Sequence, residues 1–400
     1  MTKRNIKEVY TAGKRVLVRV DFNVPLDAAG RIVDDARISA ALPTIEHLIG
    51  QGAAVVLISH LGRPKGEREP ALSLSPVAVR LGEFLGCEVA MADGCVGDEV
   101  ERQVAALGAG QVLLLENLRF HAAEEQNDPD FARQLAALGD IYVNDAFGAA
   151  HRAHASTEGV TRFIEPALSG LLLQREVAYL DEALQNPRRP FIAILGGAKI
   201  SGKIEVIEHL LDKVDVLLIG GGMAYTFFKA QGLEIGNSLL EEDRIEVAGR
   251  LLARAEEQGL ELLLPVDCVV ADRFATDART QVVAREAMPE GWEGLDIGPE
   301  TRKRYAERIA TSGTVVWNGP LGVFEMEPFA RGTKEVGLAL GEATRAGTLS
   351  IIGGGDTVAA LTNAGLDGEM THISTGGGAS LECMSGRVLP GVAALADKEN

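Results

Sequence analysis

The side chains best suited to chemistry stand at the ends of short apolar runs, and their types change midway along the chain. In the first half the runs end in Asp21 and Asn23 (VDFNVP), His60 and Arg63 (SHLGRP), Arg119 (ENLRF), and His151, Arg152 and His154 (AFGAAHRAH), with Arg37 in DDARI after the first turn. A guanidinium grips carboxylate or phosphate through paired donors. One arginine alone is most simply a solvated surface residue. Arg37, Arg63, Arg119 and Arg152 at corresponding run ends instead suit a small, multiply anionic substrate. His151 and His154 have H-x-x-H spacing, yet no cysteine or carboxylate at ligand spacing accompanies them, so an anion contact or a helix-start role is the simpler expectation.

In the second half the run ends turn to glycine: GGAK (196–199), GGGMA (220–224), NGPLG (318–322), GGGD (353–356) and TGGGAS (375–380). Glycine lets a backbone approach a phosphate, and the N–H groups of a helix start bind anions. A single such turn often merely ends a strand; the repetition favours a nucleotide's phosphates. LGGAKISGKIE (195–205) nearly spells a P-loop, but Ile204 stands where Ser or Thr would hold magnesium. Lys199 and Lys203 are expected to share a face at the start of a helix over 199–211 and to reach phosphate oxygens. Magnesium then needs another ligand, and Asp356 is the obvious carboxylate. Gly376, Gly377 and Gly378 would add backbone donors if they open a helix.

The elements that must position these residues read as strands and helices in alternation. The runs RVLVRVDF, AAVVLISH, QVLLLEN, DIYVNDAF, FIAILGG, DVLLIGGG, ELLLPVD, TVVWNG and LSIIGGG are continuously apolar, as strands covered on both faces are. Helical patterns between them imply parallel sheets, with ligands beyond the strands' carboxyl ends. The stretch LLQREVAYLDEALQNPRRP (172–190) is an amphipathic helix stopped by proline and reads as the connection between two domains. The expected fold is α/β: two Rossmann-like domains, each a mostly parallel sheet flanked by helices, joined by a hinge helix.

Composition agrees with two domains. Four hundred residues exceed the size at which one core stops growing, and 46% hydrophobic with 24% charged residues is ordinary for a globular protein. A net charge of −18 argues against nucleic acid or an anionic membrane as partner. Cys87, Cys95, Cys268 and Cys383 form no C-x-x-C pair, and the N-terminus has no apolar signal core, so a reduced, cytoplasmic setting is expected.

Taken in order, VDFNVP, SHLGRP, ENLRF, AFGAAHRAH, LGGAKISGKI, IGGGMAYTF, PVDCVVAD, GLDIGPET, WNGPLGVFE, GGGDT and STGGGASLE resemble the phosphoglycerate kinases, from about Arg19 to Leu389. The resemblance implies transfer of the acyl phosphate of 1,3-bisphosphoglycerate to magnesium ADP, giving 3-phosphoglycerate and ATP. It implies an acid-binding domain over 1–175 with Asp21, Phe22, Asn23, Arg37, His60, Leu61, Gly62, Arg63, Arg119 and Arg152. A hinge over 176–190 would follow, then a nucleotide domain over 191–386 with Lys203, Gly294, Glu325 and Gly353, Gly354, Gly355 and Asp356. The segment 387–400 would return to the first domain. Arg37, Lys199 and Gly376–Gly378 would act on the phosphoryl group in flight, and the family is usually monomeric. Two other readings compete. A nicotinamide-dependent oxidoreductase would need G-x-G-x-x-G after the first strand, where VDFNVP stands instead. A two-domain solute-binding protein would carry a signal peptide.

Overall fold

The computed structural model describes residues 3–398. Met1, Thr2, Glu399 and Asn400, which end the expected 1–175 and 387–400 segments, lie outside the described residues. The chain divides into two compact units: Met1–Ala178 with Val388–Asn400, and Tyr179–Arg387.

The first unit holds six parallel strands: β1 (Arg15–Arg19), β2 (Ala54–Ile58), β3 (Val89–Met91), β4 (Val112–Leu114), β5 (Ile141–Asn144) and β6 (Ala167–Ser169), in the order β3-β4-β2-β1-β5-β6. Every residue of β2, β4, β5 and β6 is buried, which is why the apolar runs do not alternate. Val16, Val18, Val55, Leu57 and Leu114 pack with Ile38, Ile45 and Leu48 of the helix Ala36–Gly50. The C-terminal segment is tied into this unit: the Arg4 amide donates to Ala396 O, the Ala396 amide to Ala167 O, and Asn144 Nδ2 to Gly391 O at 3.0 Å.

In the second unit the main sheet comprises β7 (Phe191–Leu195), β8 (Val216–Ile219), β9 (Glu261–Leu263) and three later strands. Before those come β10 (Asp267–Ala271), β11 (Thr280–Ala284) and β12 (Glu293–Ile297), then β13 (Thr314–Asn318), β14 (Leu349–Gly353) and β15 (His372–Ile373). The main sheet runs β15-β14-β13-β7-β8-β9, all parallel, so the strand order reverses between β7 and β13. Ligands of such sheets sit outside the carboxyl ends at that reversal. A separate antiparallel sheet, β11-β10-β12, was not expected; β11 is mostly exposed and so lacks an apolar run to announce it. Strands β3, β6 and β15 were also missed, being two or three residues long.

The helix expected over 199–211 begins later, at Ile204, and runs to Leu211. Lys203 is its N-cap, and Lys199 lies in the preceding turn. The two lysines therefore do not share a helical face. Gly197 (φ 102°) turns the chain there, and a turn closed by the Lys203 amide on Ile200 O delays the helix. The helix Leu171–Gln185 contains the division between the units and stops before Pro187.

Candidate functional site

Beyond the carboxyl end of β1, extended chain presents Asp21, Phe22 and Asn23. Asn23 organises its neighbours: its Oδ1 accepts from the Gly62 amide (2.8 Å), and its carbonyl accepts from Arg37 Nη1 (2.8 Å). Arg37, in the first turn of its helix, also stands 3.4 Å from Asp21 Oδ2. Gly62 O accepts from Arg119 Nη1 at 2.8 Å, and Arg119 is 6% exposed. One chain of hydrogen bonds thus joins Arg37, Asn23, Gly62 and Arg119. Arg152 Nε donates to His151 Nε2 at 3.1 Å.

His60 is at the centre of this charge. Burial first, then the guanidiniums of Arg19, Arg119 and Arg37, hold its imidazole well below the usual histidine range. His154 is lowered to about 3 by burial and by Arg19, Arg119 and Arg152. Both histidines are therefore neutral near pH 7. The structure brings together Arg37, Arg119, Arg152, His60 and His154; Arg63 is exposed and makes no hydrogen bond or ion pair among the described residues. Phe22 and Leu61 put their side chains into the core, so a part in binding falls to their backbones. Sequence reading missed Arg19, Glu124 and Ser156 beneath the patch. Arg19 lies inside the apolar run RVLVRVDF, and a second cation, four residues past Arg15 and between apolar neighbours, was the available signal.

In the second unit the glycine tips serve two purposes. A side chain on Gly196 would meet Pro320 O at 2.1 Å, and one on Gly319 would meet Gly196 O at 2.2 Å. The turns after β7 and β13 press backbone against backbone there, and the Gly196 and Gly197 amides donate to Asn318 O and Pro320 O. These glycines close the protein on itself, a packing role. Gly202 and Gly355 face open space instead. Lys203 Nζ donates to Asn318 Oδ1 at 2.9 Å, and burial lowers its pKa while Asp356 opposes the shift. Asn318, also missed from sequence, is 4% exposed and leaves its Nδ2 buried without a partner.

A cavity of about 540 Å³ opens beside these turns, with Gly294, Leu295, Val323, Glu325, Phe274 and Asp356 among its lining. Gly294 is required by what lies behind it: a side chain there would come within 1.9 Å of Tyr225 Oη. The helix Gly355–Asn363 carries Asp356 in its first turn, with Gly354 (φ 90°) as its cap. Gly376 caps the helix Gly377–Met384, and a Cβ on Gly377 would lie 3.1 Å from Gly354 Cα, so the two glycine turns are neighbours. Lys199 is exposed and lies outside the cavity lining. Among the described residues no cluster of three His, Cys, Asp or Glu is placed to hold a metal, and no helix is long and apolar enough to cross a membrane.

A family model described as phosphoglycerate kinase matches residues 6–387. The phosphoglycerate kinase of Synechococcus elongatus is 59% identical over 400 residues, covering 99% of this chain and 100% of that one. A relative from Triticum aestivum named as a cytosolic phosphoglycerate kinase is 57% identical, covering 98% and 99%. The solved phosphoglycerate kinase of Coxiella burnetii superposes with a TM-score of 0.89 at 43% identity, covering 98% of each chain.

Proposed function

The chain belongs to the phosphoglycerate kinase family, and from that premise we propose how its two units divide the reaction. The activity is phosphoryl transfer between 1,3-bisphosphoglycerate and ADP, yielding 3-phosphoglycerate and ATP, with a carboxyl group as acceptor in reverse. The first unit takes the acid through Asp21, Asn23, Arg37, His60, Arg63, Arg119 and Arg152, with the backbones of Phe22, Leu61 and Gly62. The second takes the nucleotide through Lys203, Gly294, Glu325 and the Gly353–Asp356 turn. The observation that carries this assignment is the split in anion chemistry: hydrogen-bonded guanidiniums in one unit, and a cavity beside glycine turns and a buried lysine in the other. The oxidoreductase alternative has no support in the family match.

The leaving group in ATP formation is a carboxylate, and the nucleophile in reverse is the same carboxylate, ionised at neutral pH. No hydroxyl proton has to be removed, so no general base is needed. That suits a site whose histidines burial keeps neutral: they donate hydrogen bonds to anionic oxygens. Alignment and charge stabilisation remain, and these fall to Arg37, Lys199 and the helix-opening backbone of Gly376–Gly378. Glu325 accepts from a ribose hydroxyl, and Asn318 Nδ2 is a spare donor for a phosphate oxygen.

Magnesium fits beside Asp356. That carboxylate is exposed at a helix start and close enough to Lys203 to act on its charge. A single carboxylate leaves the other ligand positions to nucleotide phosphates and water, the usual arrangement for this ion. When bound it neutralises charge on those phosphates.

Acid and nucleotide held by different units must be joined with water excluded, and the segment 176–190 is the proposed hinge. X-ray scattering should show a smaller radius of gyration with both substrates than with either alone; identical curves would remove the hinge. The protein works as a monomer in the cytoplasm on this reading, in keeping with its free cysteines. Relatives include both cytosolic and chloroplastic forms. The deciding experiment is a coupled assay of ATP consumption with 3-phosphoglycerate and magnesium. Turnover is expected, and a folded but inert protein would refute the assignment.

A further inference from the structure

We propose that Arg19 is a positioning residue of the acid site: it fixes His60 in the tautomer whose proton is on Nε2, so that His60 meets an anionic substrate oxygen as a neutral donor. The proposal rests on the reading that the acid binds beside His60. Arg19 closes β1 and is 1% exposed, too deep to touch a substrate itself; His60 is 5% exposed. Arg19 Nη2 lies 3.0 Å from His60 Nδ1. A guanidinium has donors only, so Nδ1 must accept, and the single ring proton of a neutral imidazole is then on Nε2. The opposite tautomer would set N–H against N–H in a buried site, leaving two donors unsatisfied.

The guanidinium is itself held firmly. Nη1 donates to Val20 O, and Nε donates to Ser156 Oγ at 2.8 Å. Ser156 Oγ donates onward to Glu124 Oε1 at 2.5 Å, while the Ser156 amide donates to Glu124 Oε2 at 2.9 Å. Glu124 is fully buried, and burial lifts its pKa while Arg19 opposes the shift. The carboxyl therefore answers the buried cation through one hydroxyl, which spares Arg19 the cost of a lone interior charge. Its fork is aimed by Val20 and Ser156, and its remaining contact is the imidazole. No protein partner of His60 Nε2 is present among the described residues, so that donor is available.

The test uses ¹⁵N-labelled full-length protein and long-range ¹H–¹⁵N correlation of the His60 ring. A bare Nδ1 with a protonated Nε2 is expected; a protonated Nδ1, or two forms in exchange, would overturn the proposal. The charge-balanced variant Arg19→Met with Glu124→Gln should release the ring into mixed tautomers. It should raise KM for 3-phosphoglycerate about twofold, the factor by which roughly equal tautomers dilute the binding-competent one, and leave KM for ATP unchanged. A variant that keeps the single tautomer and its KM overturns the proposal as well. His60→Ala separates the two readings. If KM for the acid is unchanged there, the acid-site assignment falls and takes the proposal with it. If KM rises in His60→Ala while wild-type His60 carries its proton on Nδ1, only the role of Arg19 falls.

Discussion

Around His60 the first unit presents guanidiniums braced by backbone carbonyls, Arg37 on Asn23 and Arg119 on Gly62. Around Lys203 the second unit presents turns whose backbones touch, with Gly196 against Pro320 and Gly319 against Gly196. On the proposed reading, one unit selects an anion by charge and the other by space. The difference teaches which mutations each can survive. A charge-built site is damaged by truncating a side chain, because the braced donors cannot be replaced by water in the right geometry. A space-built site is damaged by adding a methyl group.

The largest expected effect is at the charged end. Arg37→Ala should lower turnover by about 10²- to 10³-fold, the scale of losing a donor to developing charge, while ADP affinity measured by calorimetry stays nearly constant. An active variant, or one that loses ADP, would break the division of labour between the units.

Two glycine variants then sharpen the comparison at the other end. Gly196→Ala puts a Cβ 2.1 Å from Pro320 O, against backbone that cannot yield cheaply. It should destabilise the fold by roughly 3 kcal/mol or more, as overpacking at a rigid contact does, read as a lowered Tm. Gly355→Ala meets nothing within 4 Å. Its Tm should hold, while ADP affinity falls about tenfold because the methyl enters space reserved for phosphate, a cost near 1.4 kcal/mol. Equal behaviour of the two variants would refute the separation of packing glycines from ligand-facing ones.

The smallest effect concerns pH, and here the units are expected to differ in sign. In the second unit burial lifts the Asp296 carboxyl to about 8, despite amide donors from Ile297 and Gly332 and the nearby Arg302; Glu335 adds to the shift. The unfolded carboxyl titrates near 4, so its stabilising contribution is complete below that value and is lost as pH rises through about 8. In the first unit His154, lowered to about 3, acts oppositely. The unfolded imidazole takes up a proton below about 6.5 that the folded one refuses, so stability is lost as pH falls. Asp145, lifted to about 6 by burial, partly offsets this. Thermal midpoints across pH 5 to pH 8.5 (about that span includes the upper part of both windows) should fall less steeply on the alkaline side in Asp296→Asn. They should fall less steeply on the acid side in His154→Gln. Unchanged slopes would show that these groups do not carry the dependence.

Much of this was legible in the sequence, and the exceptions share a cause. Runs such as AVVLI and TVVWN announce central parallel strands because both faces are buried. The strand TQVVA of the antiparallel sheet does not, since most of it is exposed. Asp21, Asn23 and Arg119 were legible as polar residues beyond strand ends, and Arg37 as the arginine of DDARI after the first turn. Arg19 and Asn318 were not, because each lies within a strand and gains its meaning from a partner far along the chain: His60 and Ser156 for one, Lys203 for the other. The helix expected from Lys199 was started too early, because a helix start depends on local turn geometry that periodicity does not carry.

What the sequence determined by itself was the class of the long buried elements and the residue types at their ends, since apolar runs and residue type are local properties of the chain. What only the tertiary structure decided was which ends meet, which glycines pack against protein and which face open space, and which buried cation lies against His60. Those outcomes depend on distances between residues remote in the chain, and a hydrogen bond or a clash is settled over a few tenths of an ångström.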